Sequence, residues 1–259
     1  MQKAIKAAAV QFNIALGNID KNLSYVTAKL RELAQDGVEL AVLPEMWSCG
    51  FAYRELNQLA QRTPVLVRQL QELSRELSIV IVGSLPEPHG EKVYNTAYVI
   101  DRGAVAGSYR KMHLFSLMNE DRHLDRGERH LVADTSVGRI GVIICYDLRF
   151  PELSRRLAVE GADIIVVPGE WPKPREEHWR TLLRARAIEN QLFVIAANTC
   201  GMVGKLDFFG YSMIIGPKGE MLAEAGYDNG EPTALLDPAE AKQWRESITC
   251  FQDRRPECY

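Results

Sequence analysis

An α/β fold is predicted for this chain of 259 residues. Short apolar runs alternate with amphipathic helical patterns almost from end to end, and that alternation points to buried strands covered by helices. No linker or low-complexity stretch interrupts the series, so residues 1–259 are expected to form a single domain. One unit also recurs. Gly37-Val-Glu-Leu-Ala-Val-Leu-Pro44-Glu-Met-Trp47 matches Gly161-Ala-Asp-Ile-Ile-Val-Val-Pro168-Gly-Glu-Trp171. In both, a helix ends at glycine and an apolar strand follows; proline comes seven residues after the glycine and tryptophan three after the proline. The repeat implies two pseudo-equivalent halves packed around one core.

The elements are read in order. Ala7 to Phe12 is an apolar run with turn residues behind it, a buried strand. Ile19, Leu23, Val26, Leu30 and Leu33 recur at steps of three and four and predict a helix that stops at Gly37. Val38 to Leu43 is the next strand. Thr63-Pro64 predicts an N-cap with proline at the first helical position, opening a helix with Leu66, Leu70, Leu73 and Leu77 on one face. Ile79 to Val82, Tyr94 to Ile100 and Ala104 to Tyr109 are read as strands. Arg139 to Cys145, Ile164 to Val167 and Leu192 to Asn198 follow, separated by helices over Pro151–Val159 and Glu176–Glu189. Gly216-Pro217-Lys218-Gly219, between Met213–Ile215 and Met221–Ala225, signals a hairpin.

Composition narrows the function. Apolar residues make up 46% and charged residues 25%, which excludes a disordered, collagen-like or coiled-coil chain. Lys and Arg number 31 against 34 Asp and Glu, for a net charge of −3 without any basic stripe. Neither nucleic acid nor an anionic membrane is therefore expected as a partner. No apolar run approaches the roughly 20 residues that span a bilayer, and Met1-Gln-Lys-Ala-Ile-Lys6 lacks the apolar core of a signal peptide. Cys49, Cys145, Cys200, Cys250 and Cys258 are odd in number and free of CxxC spacing, which predicts free thiols in a reducing, cytoplasmic compartment.

Three residues are candidates for chemistry. Cys145 closes an apolar strand and is followed by Tyr146-Asp-Leu-Arg-Phe-Pro151, where Pro151 can start a helix. A nucleophile at a strand-to-helix turn is held rigidly, with the N–H of Tyr146 available to an oxyanion. Glu45 follows a buried strand in apolar company, which suits a general base. Lys111, just past a strand in Tyr109-Arg-Lys-Met-His-Leu-Phe115, can supply a fixed positive charge. Alone, each is as readily a buried thiol, a loop carboxylate or a solvated lysine. Glu120 sits in a polar loop. A Cys–His pair with His113 or His178 stays open. His113, His123 and His130 have no spacing that gathers a metal, and no phosphate-binding glycine loop exists, so no metal or organic cofactor is expected.

Together, Leu43-Pro-Glu45, Arg110-Lys111-Met-His-Leu-Phe115 and Ile144-Cys145-Tyr-Asp-Leu-Arg-Phe-Pro-Glu-Leu153 resemble the carbon–nitrogen hydrolase (nitrilase) superfamily. The likeness extends through His178-Trp179, Arg184-Ala-Arg-Ala-Ile-Glu-Asn190 and Arg255-Pro256. It implies a four-layer α-β-β-α sandwich with pseudo-symmetric halves, assembled as a homodimer or larger homo-oligomer. It further implies Cys145 as nucleophile, Glu45 as general base, Lys111 as oxyanion-stabilising lysine and Glu120 as a second, supporting glutamate. Tyr146-Asp147 stands where true nitrilases carry Trp-Glu, and the Arg-Arg-Trp-containing run usual in N-carbamoyl amino acid amidohydrolases is missing. Cys145-Tyr-Asp-Leu-Arg-Phe-Pro151 is similar to the omega-amidase group, as is Glu170-Trp-Pro-Lys-Pro-Arg175, whose Trp171 is expected beside substrate. The resemblance implies hydrolysis of a small amide such as 2-oxoglutaramate or 2-oxosuccinamate to acid and ammonia through a cysteine thioester. Arg149, four residues after Cys145, is expected to clamp the substrate carboxylate, unless it pairs with Asp147 or Glu152 instead. The alternatives are a deaminated glutathione amidase, an N-carbamoyl amino acid amidohydrolase, a Cys–His glutaminase, or a silent binding protein.

Overall fold

The computed structural model describes residues 3–258. Met1, Gln2 and Tyr259 lie outside the described residues, and with Met1 and Gln2 goes part of the segment read for a signal peptide. Two six-stranded sheets form the centre. The first contains β1 (Ile5–Ala9), β2 (Leu40–Val42), β3 (Val80–His89), β4 (Lys92–Asp101) and β5 (Ala104–Arg110), with β14 (Thr233–Leu236) on the edge beside β1. The second contains β6 (Val132–Thr135), β7 (Gly138–Val142), β8 (Ile164–Gly169), β9 (Phe193–Asn198), β12 (Met213–Ile215) and β13 (Met221–Glu224), in that spatial order. Each has three central parallel strands, β1-β2-β3 and β7-β8-β9, with antiparallel strands outside them.

The recurring unit has a structural counterpart. Ala7, Leu40 and Val80 stand side by side in the first sheet as Ile140, Ile164 and Phe193 do in the second. The two helix ends are also built alike. The Val38 N–H reaches the Leu33 carbonyl at 2.9 Å around Gly37, and the Ala162 N–H reaches Leu157 at 3.1 Å around Gly161. Both glycines are left-handed, at φ 78° and 88°, the conformation this type of helix stop requires.

Four layers result from side-chain alternation. Ala7, Ala9, Leu40, Val42, Val80 and Val82 join the core shared with the second sheet. Ala8, Val10, Ala41, Leu43 and Ile81 pack instead under α1 (Ile19–Gln35) and α3 (Thr63–Leu77). On the far side, α5 (Pro151–Val159) and α6 (Glu176–Asn190) cover the second sheet through Leu153, Leu157, Trp179, Leu183 and Ala187. Strands buried on both faces read as continuous apolar runs, which is why they are legible in sequence.

Several boundaries differ from expectation. Thr63 is the first helical residue rather than the cap, and its hydroxyl donates to the Pro86 carbonyl at 2.6 Å. Strand β3 continues to His89 through Pro86 and Pro88. Beside β2 it pairs only over Val80–Val82, so a missing N–H farther along that edge costs no ladder bond. The strand before Cys145 ends at Val142. The short or half-exposed elements β6, β14, β10 (Cys200–Val203), β11 (Leu206–Phe209), α2 (Leu56–Ala60), α4 (Glu120–His123) and α7 (Pro238–Ser247) carry no clear period, and sequence reading passed over them.

Candidate active site

The ends of four strands converge on one buried cluster. Glu45 follows β2 after Pro44, Lys111 follows β5, Cys145 stands three residues beyond β7, and Glu170 follows β8. The two repeat units meet here: the Glu45 N–H points to the Gly169 carbonyl at 3.4 Å, and the Glu170 N–H donates to Glu45 Oε2 at 3.0 Å. Glycine at position 83 lets β2 pack this closely on β3, since a Cβ there would lie 2.7 Å from the Leu43 Cβ and 3.0 Å from Trp47.

Lys111 is the hub. Its Nζ lies 2.7 Å from Glu45 Oε1 and 2.8 Å from both oxygens of Glu120, and all three side chains are at most 1% exposed. Asn95 on β4 donates to Glu45 Oε1 at 2.7 Å, and its carbonyl accepts the Lys111 N–H at 2.8 Å. Glu45 thus accepts three hydrogen bonds. The two carboxylates outweigh burial and raise the Lys111 pKa well above its usual value, so the ammonium persists. Burial, with Glu45 nearby, pushes the Glu120 carboxyl up to about 7 although Lys111 opposes the shift.

Cys145 sits in the left-handed region at φ 45° and opens a 3₁₀ turn over Cys145–Arg149. Burial and the Glu45 carboxylate push its thiol well above the ordinary range, against a smaller lowering by Lys111. At rest Cys145 is therefore a thiol beside Glu45, unlike the thiolate of a cysteine beside imidazolium. Tyr146 occupies the first turn, where helical N–H groups lack partners within the helix. Asp147 fixes the turn: it accepts from the Ile144 N–H (2.9 Å), the Tyr109 hydroxyl (2.7 Å) and the His113 N–H (3.0 Å), and its Oδ1 is 2.7 Å from His113 Nδ1.

Glu45, Lys111 and Glu120 are the charged groups that act on the Cys145 thiol, and neither histidine of the Cys–His alternative is among them. His113 is tied to Asp147 and stacked on Phe150 at 3.6 Å, while His178 Nδ1 takes the Arg149 guanidinium at 3.2 Å. Arg149 also departs from the structural pairing considered for it, because the described residues give it no carboxylate partner, neither Asp147 nor Glu152. Its guanidinium lies 4.7 Å over the Trp171 ring. Trp171 is buried and donates through Nε1 to the Arg175 carbonyl at 2.9 Å. Together with Phe115, Tyr146 and Arg175, these residues line a small cleft that reaches Cys145. A larger surface cavity, around Leu16, Tyr53, Arg62 and His123, has no cysteine in its lining. Cys49 and Cys200 are buried thiols pushed up to about 12 by burial, and no lysine is among the groups that act on them.

The carbon–nitrogen hydrolase family pattern matches residues 6–246. This chain belongs to the carbon–nitrogen hydrolases. The hydrolase is 35% identical over 255 residues to a 2-oxoglutaramate amidase of Bacillus subtilis (strain 168), covering 97% of this chain and 98% of the relative. Among solved structures it resembles Nit3 of Saccharomyces cerevisiae, a nitrilase-superfamily member, with a TM-score of 0.91 at 29% identity over 98% and 97% of the two chains. It also resembles a variant of the amidase from Nesterenkonia sp. AN1 that carries the acetamide moiety of fluoroacetamide on its active-site cysteine (TM-score 0.88, 29% identity, 98% and 95% covered). The nitrilase-type sandwich expected from the motifs is thus the fold observed.

Asn95, Glu170 and Arg175 were not singled out in the sequence for this site. Asn95 had a faint signal, an amide inside the apolar run Tyr94 to Ile100. Glu170 and Arg175 had none beyond the Glu170–Arg175 motif. Asp147 stood out only as a branch marker and as a possible partner of Arg149.

Proposed function

We propose that this hydrolase cleaves a small carboxylate-bearing amide, of the 2-oxoglutaramate or 2-oxosuccinamate type, to the acid and ammonia through a thioester on Cys145. The observation that carries the reading is Lys111 Nζ, buried between Glu45 and Glu120 in the cluster that includes Cys145. The name of the Bacillus relative supports the substrate class.

Glu45 takes the thiol proton as sulfur attacks the amide carbon, since the raised thiol pKa leaves little thiolate beforehand. The carbonyl oxygen gathers charge and is met by Lys111 and the Tyr146 N–H. Protonated Glu45 then hands its proton to nitrogen as the C–N bond breaks, because an amide anion is too poor a leaving group, and ammonia departs. Water, losing a proton to the same carboxylate, attacks the thioester. The C–S bond breaks, and the proton returns to sulfur. Glu120 holds the lysine in place, while Arg149 and Trp171 receive the substrate's carboxylate end. No cofactor has a part in this sequence.

In the same reading the enzyme is a cytoplasmic homodimer or larger homo-oligomer. No helix among the described residues is long and apolar enough to cross a membrane, and exposed Val159, Ile188 and Leu235 offer apolar surface for a second copy. An ammonia-release panel tests the function: 2-oxoglutaramate, 2-oxosuccinamate, glutamine, deaminated glutathione, an N-carbamoyl amino acid and a nitrile. Preferential release from the 2-oxo acid amides is expected. A preference for the carbamoyl compound or the nitrile would overturn it.

A further inference from the structure

The cleft above Cys145 holds two guanidiniums, Arg149 and Arg175. Each lies against an aromatic ring, Arg149 at 4.7 Å from the centre of Trp171 and Arg175 at 5.2 Å from that of Phe115. A stacked guanidinium keeps its N–H edge free for a carboxylate. The two cations oppose each other, since Arg175 adds to the burial that lowers the Arg149 pKa. No ion pair relieves either one among the described residues, because the neighbouring acids are engaged elsewhere. Asp147 is bound to Tyr109 and His113, Glu176 to Arg180, and Asp207 to Lys173. Glu170, which lines the same cleft, is 1% exposed, and burial pushes its carboxyl well above the usual range, disfavouring its charged form.

An anion entering this cleft would be gripped from two sides, and a second positive charge beside that anion would find nothing to pair with. We propose that Arg175, acting with Arg149, sets which amides this hydrolase accepts: the paired guanidiniums bind the carboxylate of 2-oxo or unsubstituted acid amides and repel the α-ammonium of glutamine and asparagine. The proposal rests on the amidase reading and deepens it. Selectivity by an unanswered like charge is a common way to refuse a close relative of the correct ligand.

The test separates binding from turnover. Cys145→Ala protein is titrated calorimetrically with 2-oxoglutaramate and with glutamine, and the first is expected to bind about 10²-fold more tightly. Adding Arg175→Gln should narrow that gap by about tenfold or more, whereas Arg175→Lys, which keeps the charge, should retain most of it. Equal affinity for the two ligands, or a gap that Arg175→Gln leaves intact, would overturn the proposal and reduce Arg175 to a wall of the cleft. Ammonia release by the unsubstituted enzyme from butyramide and glutaramate is measured in parallel. If no amide is turned over while the binding gap persists, the amidase reading fails and the ligand selectivity stands.

Discussion

Asp147 accepts the Tyr109 hydroxyl at 2.7 Å, and that bond joins the turn carrying Cys145 to the strand end that delivers Lys111. The same carboxylate holds the Ile144 N–H and the backbone N–H and Nδ1 of His113, so one buried side chain links the spacing of Cys145 and Lys111.

Asp147→Asn should therefore act on catalysis through position. The amide turns one acceptor into a donor and leaves a buried bond unmade, at a cost of about 1–3 kcal/mol. A fall in kcat with KM little changed, together with a lower melting temperature, is expected. A variant that loses stability yet retains kcat would show that the turn is set by the surrounding helices.

The two glutamates that flank Cys145 should respond unequally to the same substitution. Glu45→Gln would remove the proton acceptor of the proposed reaction and should lower kcat by about 10²–10⁴-fold. Glu170→Gln replaces a carboxyl whose burial disfavours its charged form and whose Oε1 has no hydrogen-bond partner, and should lose much less. Single-turnover ammonia release compares the two. Similar losses would mean that Glu170 is ionised during the reaction.

Cys145→Ala should abolish turnover with a melting temperature within a few degrees of the parent's, because little volume is lost at a nearly closed site. Residual activity in the purified variant would put the nucleophile elsewhere.

The Glu120 carboxyl, raised to about 7 chiefly by burial, predicts a pH-dependent limb. Activity should rise as pH climbs through about 7 and Glu120 ionises against Lys111, and Glu120→Gln should remove that limb. The sign for stability is reversed. The folded chain holds this proton more tightly than the unfolded one, whose carboxyl has the ordinary value of 4.5, so the stabilisation is complete below 4.5 and lost as pH rises through about 7. Denaturant titrations at several pH values would detect the decline, which should flatten in the variant.

Arg149→Lys should raise KM for 2-oxoglutaramate more than for a neutral amide of similar length, since an ammonium cannot reproduce a two-point contact. Equal losses on both substrates would assign Arg149 to the support of the turn.

The parallel strands, the helices α1, α3, α5 and α6 and the repeat from Gly37 to Trp47 were legible in the sequence because each carries its own period. A strand buried on both faces has to be apolar throughout, and the left-handed stops after α1 and α5 fall on Gly37 and Gly161, wherever the rest of the chain goes. Glu45, Lys111 and Cys145 were legible by motif, each at the end of such an element. Their partners were not. Asn95 meets Glu45 across 50 residues and Glu170 meets it across 125, and sheet register and the packing of the two halves decide those meetings. Local pattern records whether a side chain is buried. Which charge it is buried against, and hence whether Glu120 and Glu170 hold protons while Glu45 is bound to Lys111, was decided only when the strand ends were brought together in a low-dielectric interior.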